Sequence, residues 1–162
     1  MKFSESWLRS FVDPACSGDE FSHLLTMAGL EVEEEATVAP AFDKVVVGQV
    51  LTVARHPDAD RLNVCEVDVG SGEALRIVCG APNVHADMWA VWLPPGATVP
   101  ATYDDKEPFV LGVRELRGVL SNGMLAAGDE LGINDDHYGI IEITPSDLPS
   151  SATLKAGASF AV

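Results

Sequence analysis

The sequence is poor in basic side chains: 10 lysines and arginines stand against 25 aspartates and glutamates, which gives a formal charge of −15. This balance argues against non-specific nucleic-acid binding, because contacts to phosphates need cationic side chains. Cysteine is scarce too, since Cys16, Cys65 and Cys79 are odd in number and widely spaced. They give neither a paired disulfide framework nor a C-x-x-C metal motif, so we expect free thiols and a cytoplasmic protein.

Long hydrophobic runs are also absent. No apolar stretch approaches the roughly 20 residues that span a bilayer, so no membrane contact is predicted. The first ten residues contain no extended apolar segment, which argues against a secretory signal. Hydrophobic residues nevertheless make up 47% of the 162 residues, and this share predicts a folded core, in one domain or in one domain with an appendage.

The first 39 residues predict a small helical arm. Ser4 or Ser6 is placed to cap a first short helix, and Asp19 to cap a second helix that ends at Gly29. The stretch LEVEEE, residues 30–35, alternates as an exposed strand does. Two short helices and one strand bury little surface by themselves, so we expect the arm to need a partner, either the following domain or another chain.

The pattern changes to short strands after Asp43. Five or six apolar or alternating runs are separated by glycine- and proline-rich turns, and no long helix lies between them. This spacing favours a small closed or partly closed β-barrel and excludes parallel βαβ units. Gly48 is predicted as a bulge or bend in the first strand, residues 128–133 as a short helical turn, and residues 139–143 as the last strand.

Catalytic and metal-binding patterns are weak. The four histidines and three cysteines show no ligand-like spacing, so ordinary turn and surface histidines are the preferred interpretation. Cys79 precedes a glycine at a strand end, but no base is evident near it. The acidic run at residues 133–142 lacks the spacing of a calcium-binding loop. We therefore predict neither a catalytic residue nor a metal site.

Two segments combine arginine with small polar residues and form the predicted binding edge. The first is the loop ARHPDADR between the first two strands, and the second is RELRGVLSNG, residues 114–123. Arginine reaches phosphates, whereas hydroxyl and amide groups reach sugars and base edges. The predicted nucleic-acid contacts are His56, Arg61, Arg117, Ser121 and Asn122.

The same residues also have a purely structural interpretation. His56 and Pro57 would fix the loop, and Asp58 and Asp60 would cap its turn. Arg117 would pair with one of the many carboxylates, an interaction that is common and weak on protein surfaces. The residues alone leave both interpretations open.

Three blocks of the sequence resemble the tRNA-binding OB domain that several synthetase-associated proteins share. They are VVVGQVLTVARHPDADRLNVCEVDVG, IVCGAPNV and ELRGVLSNGMLAAGDELGI. The arm, with MKFSESWLRSFVDP and LLTMAGLEVEEE, is similar to the start of the β subunits of bacterial phenylalanyl-tRNA synthetases. The resemblance covers essentially the whole chain and implies an N-terminal fragment of such a subunit.

This resemblance implies a mainly β fold, α+β overall, in which a five-stranded OB-fold barrel carries a small helical and strand arm from a split domain. Residues 1–39 would be the first half of the split domain, and residues 40–150 the tRNA-binding barrel. Residues 151–162 would be the truncated start of the returning half.

The resemblance also implies a role. The family enzyme is an (αβ)₂ heterotetramer that uses ATP and magnesium to attach phenylalanine to its tRNA, with the chemistry outside this region. The chain is then a non-catalytic accessory tRNA-binding module without a cofactor of its own, whose partners are tRNA, the α subunit and the rest of the β subunit. The alternative is a structural module for subunit assembly. Of two places that are often basic in the family, one is Arg61 here and the other is Glu115. Because the chain also carries a formal charge of −15, we expect tRNA binding to be weak or to depend on the holoenzyme.

Overall fold

A computed structural model describes residues 3–36, 42–147 and 153–160. The chain divides into two units, Met1–Thr37 and Val38–Val162. Within the described residues, no helix is both long enough and apolar enough to cross a membrane.

The first helix of the N-terminal unit, α1, spans Glu5–Arg9. It begins at Ser4, one of the two predicted caps, whose hydroxyl accepts a hydrogen bond from the Trp7 N–H at 3.2 Å. Arg9 ends the helix and donates to the Cys16 carbonyl at 2.9 Å. This bond ties the helix to the turn that follows it.

The second helix, α2, spans Gly18–Met27 and is capped by Ser17, so the prediction of Asp19 as its cap is wrong. The Ser17 hydroxyl accepts from the Glu20 N–H at 3.3 Å, and the Glu20 carboxylate accepts from the Ser17 N–H at 2.9 Å. These reciprocal bonds satisfy two helix-terminal donors and lower the pKa of Glu20. Gly29 follows the helix at φ 91°, as its predicted terminating role requires.

The exposed strand predicted at residues 30–35 does not form. Among the described residues, this stretch takes part in no strand pairing. A strand needs the edge of another strand, and the described part of this unit offers only helices. The chain instead folds back, and the Val32 N–H donates to the Thr26 hydroxyl at 3.2 Å.

The described residues of the second unit form seven short strands. They are β1 (Val46–Arg55), β2 (Asn63–Asp68), β3 (Leu75–Cys79), β4 (Trp89–Leu93), β5 (Arg114–Leu116), β6 (Val119–Ser121) and β7 (Met124–Leu125). Five of them form one antiparallel sheet in the order β3-β2-β1-β4-β7, and β5 pairs with β6 as a separate hairpin. Two 3₁₀ turns, Pro100–Thr102 and Pro145–Asp147, complete the regular structure of the described residues.

The five-stranded sheet closes on itself through the turn between β6 and β7. The Ser121 hydroxyl accepts a hydrogen bond from the Val78 N–H of β3 at 3.0 Å, and the Asn122 N–H donates to the Arg76 carbonyl at 2.9 Å. These bonds bring the last strands back to the outer edge of β3. The predicted five-stranded OB-like barrel is thereby confirmed.

Alternate residues of β1 serve two hydrophobic cores. Val50 faces the barrel interior and packs in a cluster with Val67 and Ile77. Val47 points to the opposite face, where it joins a second cluster that includes Leu93. Because the described members of both clusters lie between residues 42 and 160, the barrel unit supplies its own core.

The bulge in β1 lies further along the strand than Gly48, where it was predicted. The pairing of β1 with β2 shifts register between Val50 and Thr52, whereas Gly48 lies in regular pairing with β4. Gly48 is closely packed instead, because a Cβ atom there would lie 3.0 Å from the Val67 side chain. The glycine therefore marks a place of close packing between strands and not a β-bulge.

The predicted last strand at residues 139–143 does not form a regular ladder and makes only isolated bridges. The side chain of Asn83 replaces a strand partner here, because its Oδ1 accepts from the Ile140 N–H at 3.0 Å and its Nδ2 donates to the Ile140 carbonyl at 2.8 Å. Residues 128–133 form turns, close to the predicted short helical turn.

The segment 153–160 returns to the start of β1. The Val47 N–H donates to the Ala158 carbonyl at 2.8 Å, and the Phe160 N–H donates to the Val45 carbonyl at 3.0 Å. This segment therefore pairs with the barrel. Its assignment to the returning half of a split domain, like the boundaries at residues 39 and 150, stays a prediction.

Candidate nucleic-acid interface

The loop between β1 and β2 is organised by His56, which is only 4% exposed. The Asp58 N–H donates to the Nδ1 atom of the ring at 3.1 Å, so the ring proton lies on Nε2. Nε2 then donates to the Leu116 carbonyl of β5 at 3.0 Å. The predicted site residue His56 thus joins the loop to the β5–β6 hairpin.

Arg117 stands at the tip of that hairpin. Its φ is 49° and that of Gly118 is 82°, the pattern of a two-residue type I′ turn. The turn presents the guanidinium towards the first loop, where its Nη1 donates to the Asp58 carbonyl at 3.3 Å. The two segments predicted from the sequence therefore meet at one corner of the barrel.

An open cleft of about 330 Å³ lies beside this corner. Its lining includes Arg55, Asp60, Arg61, Asn63 and residues 80–82. Arg55 and Asn63 are direct partners across β1 and β2, which places both at the same end of the sheet. The predicted contact Arg61 thus shares the cleft with a second arginine and an amide.

Ser121 and Asn122 lie at the closure of the barrel. Ser121 is 4% exposed, and its hydroxyl also donates to the Gly123 carbonyl at 3.1 Å. The Asn122 side chain donates to the Arg76 carbonyl at 3.3 Å, and its own carbonyl accepts from the Trp92 indole at 3.0 Å. These bonds position both residues beside β3, and the contact with nucleic acid expected of them stays a prediction.

The arginines of the barrel keep their charge free of carboxylates. Within the described parts of the chain, ion pairs join Arg9, Lys44 and His85 to acidic side chains. The described arginines that make no such pair are Arg55, Arg61, Arg76, Arg114 and Arg117. In a chain with 25 acidic residues, unpaired guanidinium groups are available to an anionic ligand.

The thiols of the barrel are buried and inert. Burial raises the pKa of Cys79, and it raises the pKa of Cys65 to about 12. A thiol held in its protonated form is a poor nucleophile and a poor metal ligand. Across residues 3–36, 42–147 and 153–160, no cluster of three or more His, Cys, Asp or Glu side chains is arranged to hold a metal ion.

Sequence reasoning missed Arg55, Asn63 and residues 80–82 as neighbours of Arg61. Treating β1 and β2 as a hairpin would have placed Arg55 opposite Asn63, because Arg55 ends β1 and Asn63 begins β2. Residues 80–82 follow β3, and only the pairing of β3 with β2 places them there.

A small antiparallel barrel of the OB type, with unpaired arginines gathered on a loop and a hairpin at one corner, defines the class of this molecule. The chain belongs to the family described as "Putative tRNA binding domain", which matches residues 45–151. The family match thus covers the barrel together with its arginine-bearing corner.

Curated relatives resemble nearly the whole chain. It is 53% identical over 155 residues to the phenylalanine–tRNA ligase beta subunit of Dechloromonas aromatica (strain RCB), and 52% identical over 155 residues to that of Ralstonia nicotianae (strain ATCC BAA-1114 / GMI1000). Each alignment covers 96% of this chain and 19% of the relative, so the chain spans about a fifth of the length of the curated relatives it matches.

Among solved structures, the MetRS related protein from Pyrococcus horikoshii matches with a TM-score of 0.44 and 21% identity. The match covers 70% of this chain and 85% of that one. At so low a TM-score, this likeness supports no inference about function.

Proposed function

We propose that this chain is the tRNA-binding module of the β subunit of a bacterial phenylalanine–tRNA ligase. The family match over residues 45–151 and the identity of about half with named β subunits support this assignment. The barrel carries the tRNA-binding surface, and the role is accessory, because the chain contributes binding rather than reacting groups.

The observation that carries the proposal is the corner where the loop bearing Arg61 meets the hairpin bearing Arg117, beside the cleft that Arg55 and Arg61 line. All three are exposed, and none forms an ion pair with a carboxylate among the described residues. The phosphate backbone supplies much of the affinity in protein–nucleic acid complexes, and arginine binds it in a bidentate geometry. A small set of free arginines at one corner suits a local contact with tRNA, while the acidic remainder limits the affinity.

We assign two kinds of role to the five predicted site residues. Arg61 and Arg117 contact tRNA phosphates directly. His56, Ser121 and Asn122 hold the loop, the hairpin and the barrel closure that present them, and through these positions they belong to the binding surface. The hydrogen bonds described above support the positioning roles of His56, Ser121 and Asn122, and the exposure of Arg61 and Arg117 supports their contact with phosphate.

The catalytic context lies outside this chain. The assembled enzyme attaches phenylalanine to its tRNA with ATP and magnesium, in partnership with the α subunit and the rest of the β subunit in the cytoplasm. This module holds the tRNA during that reaction and needs no cofactor of its own. Its weak intrinsic affinity is then supplemented by contacts that other parts of the enzyme make with the same tRNA.

The test is a fluorescence-anisotropy titration of labelled tRNA with the chain at low and near-physiological salt. The double variant Arg61→Ala/Arg117→Ala is expected to weaken binding and to reduce the salt slope by about two units, because two phosphate contacts are lost. The control is Arg76→Ala/Lys106→Ala, which removes the same charge at exposed positions outside the loop and the hairpin. Equal losses in the two double variants would contradict the assigned contacts, since net charge alone would then explain them.

A second function, a structural module for subunit assembly, is favoured by the exposed apolar side chains of the arm. Trp7 is 55% exposed, Phe11 70% and Met27 74%, and neither α1 nor α2 contains a buried residue. Aromatic side chains of this kind are typical anchors of protein interfaces. If deletion of residues 1–37 leaves assembly of the complete enzyme intact, the structural function loses its support.

A further inference from the structure

The cleft beside the β1–β2 loop combines groups of several hydrogen-bonding types in a small volume. Arg55 and Arg61 provide cationic donors, Asn63 provides an amide that both donates and accepts, and Asp60 provides an acceptor. Residues 80–82 add backbone and the apolar surfaces of an alanine and a proline. This mixture matches the separate chemical parts of a nucleotide.

The strand pairing fixes the relative places of these groups. Arg55 is the direct partner of Asn63 across β1 and β2, and Asn63 is the direct partner of Cys79 across β2 and β3. Gly80 follows Cys79, and a Cβ atom on Gly80 would lie 3.3 Å from the Leu62 side chain. Arg55 and Asn63 are thus held in paired strands, and the loop residues of the cleft, Asp60, Arg61 and residues 80–82, follow directly from β1 or β3 or lead into β2. Anchoring by paired strands favours a preformed site.

The volume of the cleft favours a single-stranded segment over a double helix. The cleft volume of about 330 Å³ lies at the small end of ligand-sized pockets, which run from about 300 to 1,000 Å³. A double helix presents its phosphates in a continuous row and keeps its bases stacked inside. Single-stranded segments instead expose both the base and the phosphate of one unit, and proteins read them with positive grooves and small pockets.

We propose that this cleft binds one unpaired nucleotide of a tRNA, with the phosphate between Arg55 and Arg61 and the base against residues 80–82 and the amide of Asn63. The proposal rests on the proposed tRNA-binding function and narrows it to a subsite. It assigns a role to Arg55 and Asn63 that neither the family match nor the named relatives provide.

The test is a competition assay in which a labelled tRNA is bound to the 162-residue chain and displaced by unlabelled RNA. A single-stranded hexaribonucleotide is expected to displace the tRNA, and a blunt RNA duplex of 12 base pairs to displace it much less. In direct titration, Arg55→Ala and Asn63→Ala are each expected to lower the affinity for the hexaribonucleotide by roughly tenfold. Arg76→Ala, which removes an exposed charge outside the cleft, is expected to stay within about twofold of the parent chain.

A second readout locates the site without relying on affinity. In an NMR titration with the hexaribonucleotide, the backbone amides of Gly80 and Ala81 are expected to shift together with the side-chain amide of Asn63. A free nucleoside monophosphate that produces the same shifts at the same concentration would indicate a mononucleotide site and overturn the proposal for tRNA.

The outcomes separate this inference from the proposed function. If the chain binds tRNA but the duplex competes as well as the hexaribonucleotide, or if Arg55→Ala behaves like Arg76→Ala, the cleft is not the subsite and general tRNA binding still stands. If the parent chain binds no tRNA at either salt concentration, the proposed function itself fails, and the inference that rests on it fails as well.

Discussion

At the level of single residues, His56 carries two hydrogen bonds that join segments distant in sequence. Its Nδ1 accepts from Asp58 in its own loop, and its Nε2 donates to Leu116, 60 residues further along the chain. A ring that is 4% exposed and bonded at both nitrogens holds the β1–β2 loop against β5. The residue therefore joins the β1–β2 loop to the β5–β6 hairpin from a buried position.

Replacement of His56 by alanine is expected to lower the free energy of unfolding by about 2–4 kcal/mol, because two hydrogen-bonding groups lose their partner and a buried ring leaves a cavity. Urea denaturation followed by fluorescence measures the change. His137→Ala is the control, since His137 is exposed, and it is expected to change stability by no more than about 0.5 kcal/mol. A similar small effect of both substitutions would show that the bridge contributes little.

Cys65 makes the stability of the barrel sensitive to alkaline pH. Burial raises the pKa of its thiol from 9.0 to about 12, so the folded chain retains a proton that the unfolded chain loses. This contribution is complete below pH 9 and is expected to fade as the pH rises towards 12. Unfolding free energies measured between pH 8 and about 11 should fall less steeply for Cys65→Ala than for the parent chain. Cys16→Ala serves as the control, and an identical slope in both variants would contradict the assignment.

At the level of elements, the β5–β6 hairpin holds Arg117, one of the predicted contacts, in a strained backbone conformation. Arg117 adopts a φ of 49°, where glycine and asparagine are the favoured residues. The following Gly118 has a φ of 82°, and no other group lies within 4 Å of the Cβ atom it lacks. The turn thus depends on backbone conformation rather than on packing.

Arg117→Asn is expected to separate folding from binding. Asparagine tolerates this backbone conformation, so the free energy of unfolding should stay the same or rise by up to about 1 kcal/mol, while tRNA affinity falls because the guanidinium is lost. Gly118→Val is the contrasting variant, and it is expected to lose roughly 2 kcal/mol because a β-branched residue resists positive φ. Urea denaturation and tRNA titration of both variants measure the two effects. Unchanged tRNA binding by a stable Arg117→Asn chain would remove Arg117 from the interface.

At the level of the whole molecule, negative charge is distributed over both units of the chain. The first 39 residues contribute eight of the 25 acidic side chains and only two of the ten basic ones. The barrel unit holds both hydrophobic clusters within its own described residues. The arm therefore adds negative charge to a unit that supplies its own core.

Deletion of residues 1–37 is expected to leave the unfolding free energy of the barrel within about 0.5 kcal/mol of the parent value, because the core is intact. The deletion should also tighten tRNA binding at low salt, since it removes net negative charge. This difference is expected to shrink at 0.15 M salt, where the screening length is about 8 Å. Thermal or urea unfolding and anisotropy titrations test both statements, and a barrel that no longer folds would show that the arm completes it.

The sequence by itself determined the features that depend on local chemistry. Alternation of apolar residues predicted the strands, and serines followed by helical spacing predicted the first cap. The binding edge on the arginine-bearing loop and hairpin stays a prediction. The exposed strand at residues 30–35 was wrong because local alternation says nothing about whether a partner edge exists. The last strand was only partly right because the side chain of Asn83 takes the place of a neighbouring strand.

Only the tertiary structure decided which of these features meet. The bond from His56 to Leu116 spans 60 residues and that from Val78 to Ser121 spans 43, and no local pattern encodes either contact. The shared cleft of Arg55 and Arg61 likewise follows from strand register. Local propensity determines where elements form, whereas closure of the barrel determines which side chains become neighbours, because closure satisfies hydrogen bonds and buries apolar surface for all strands together.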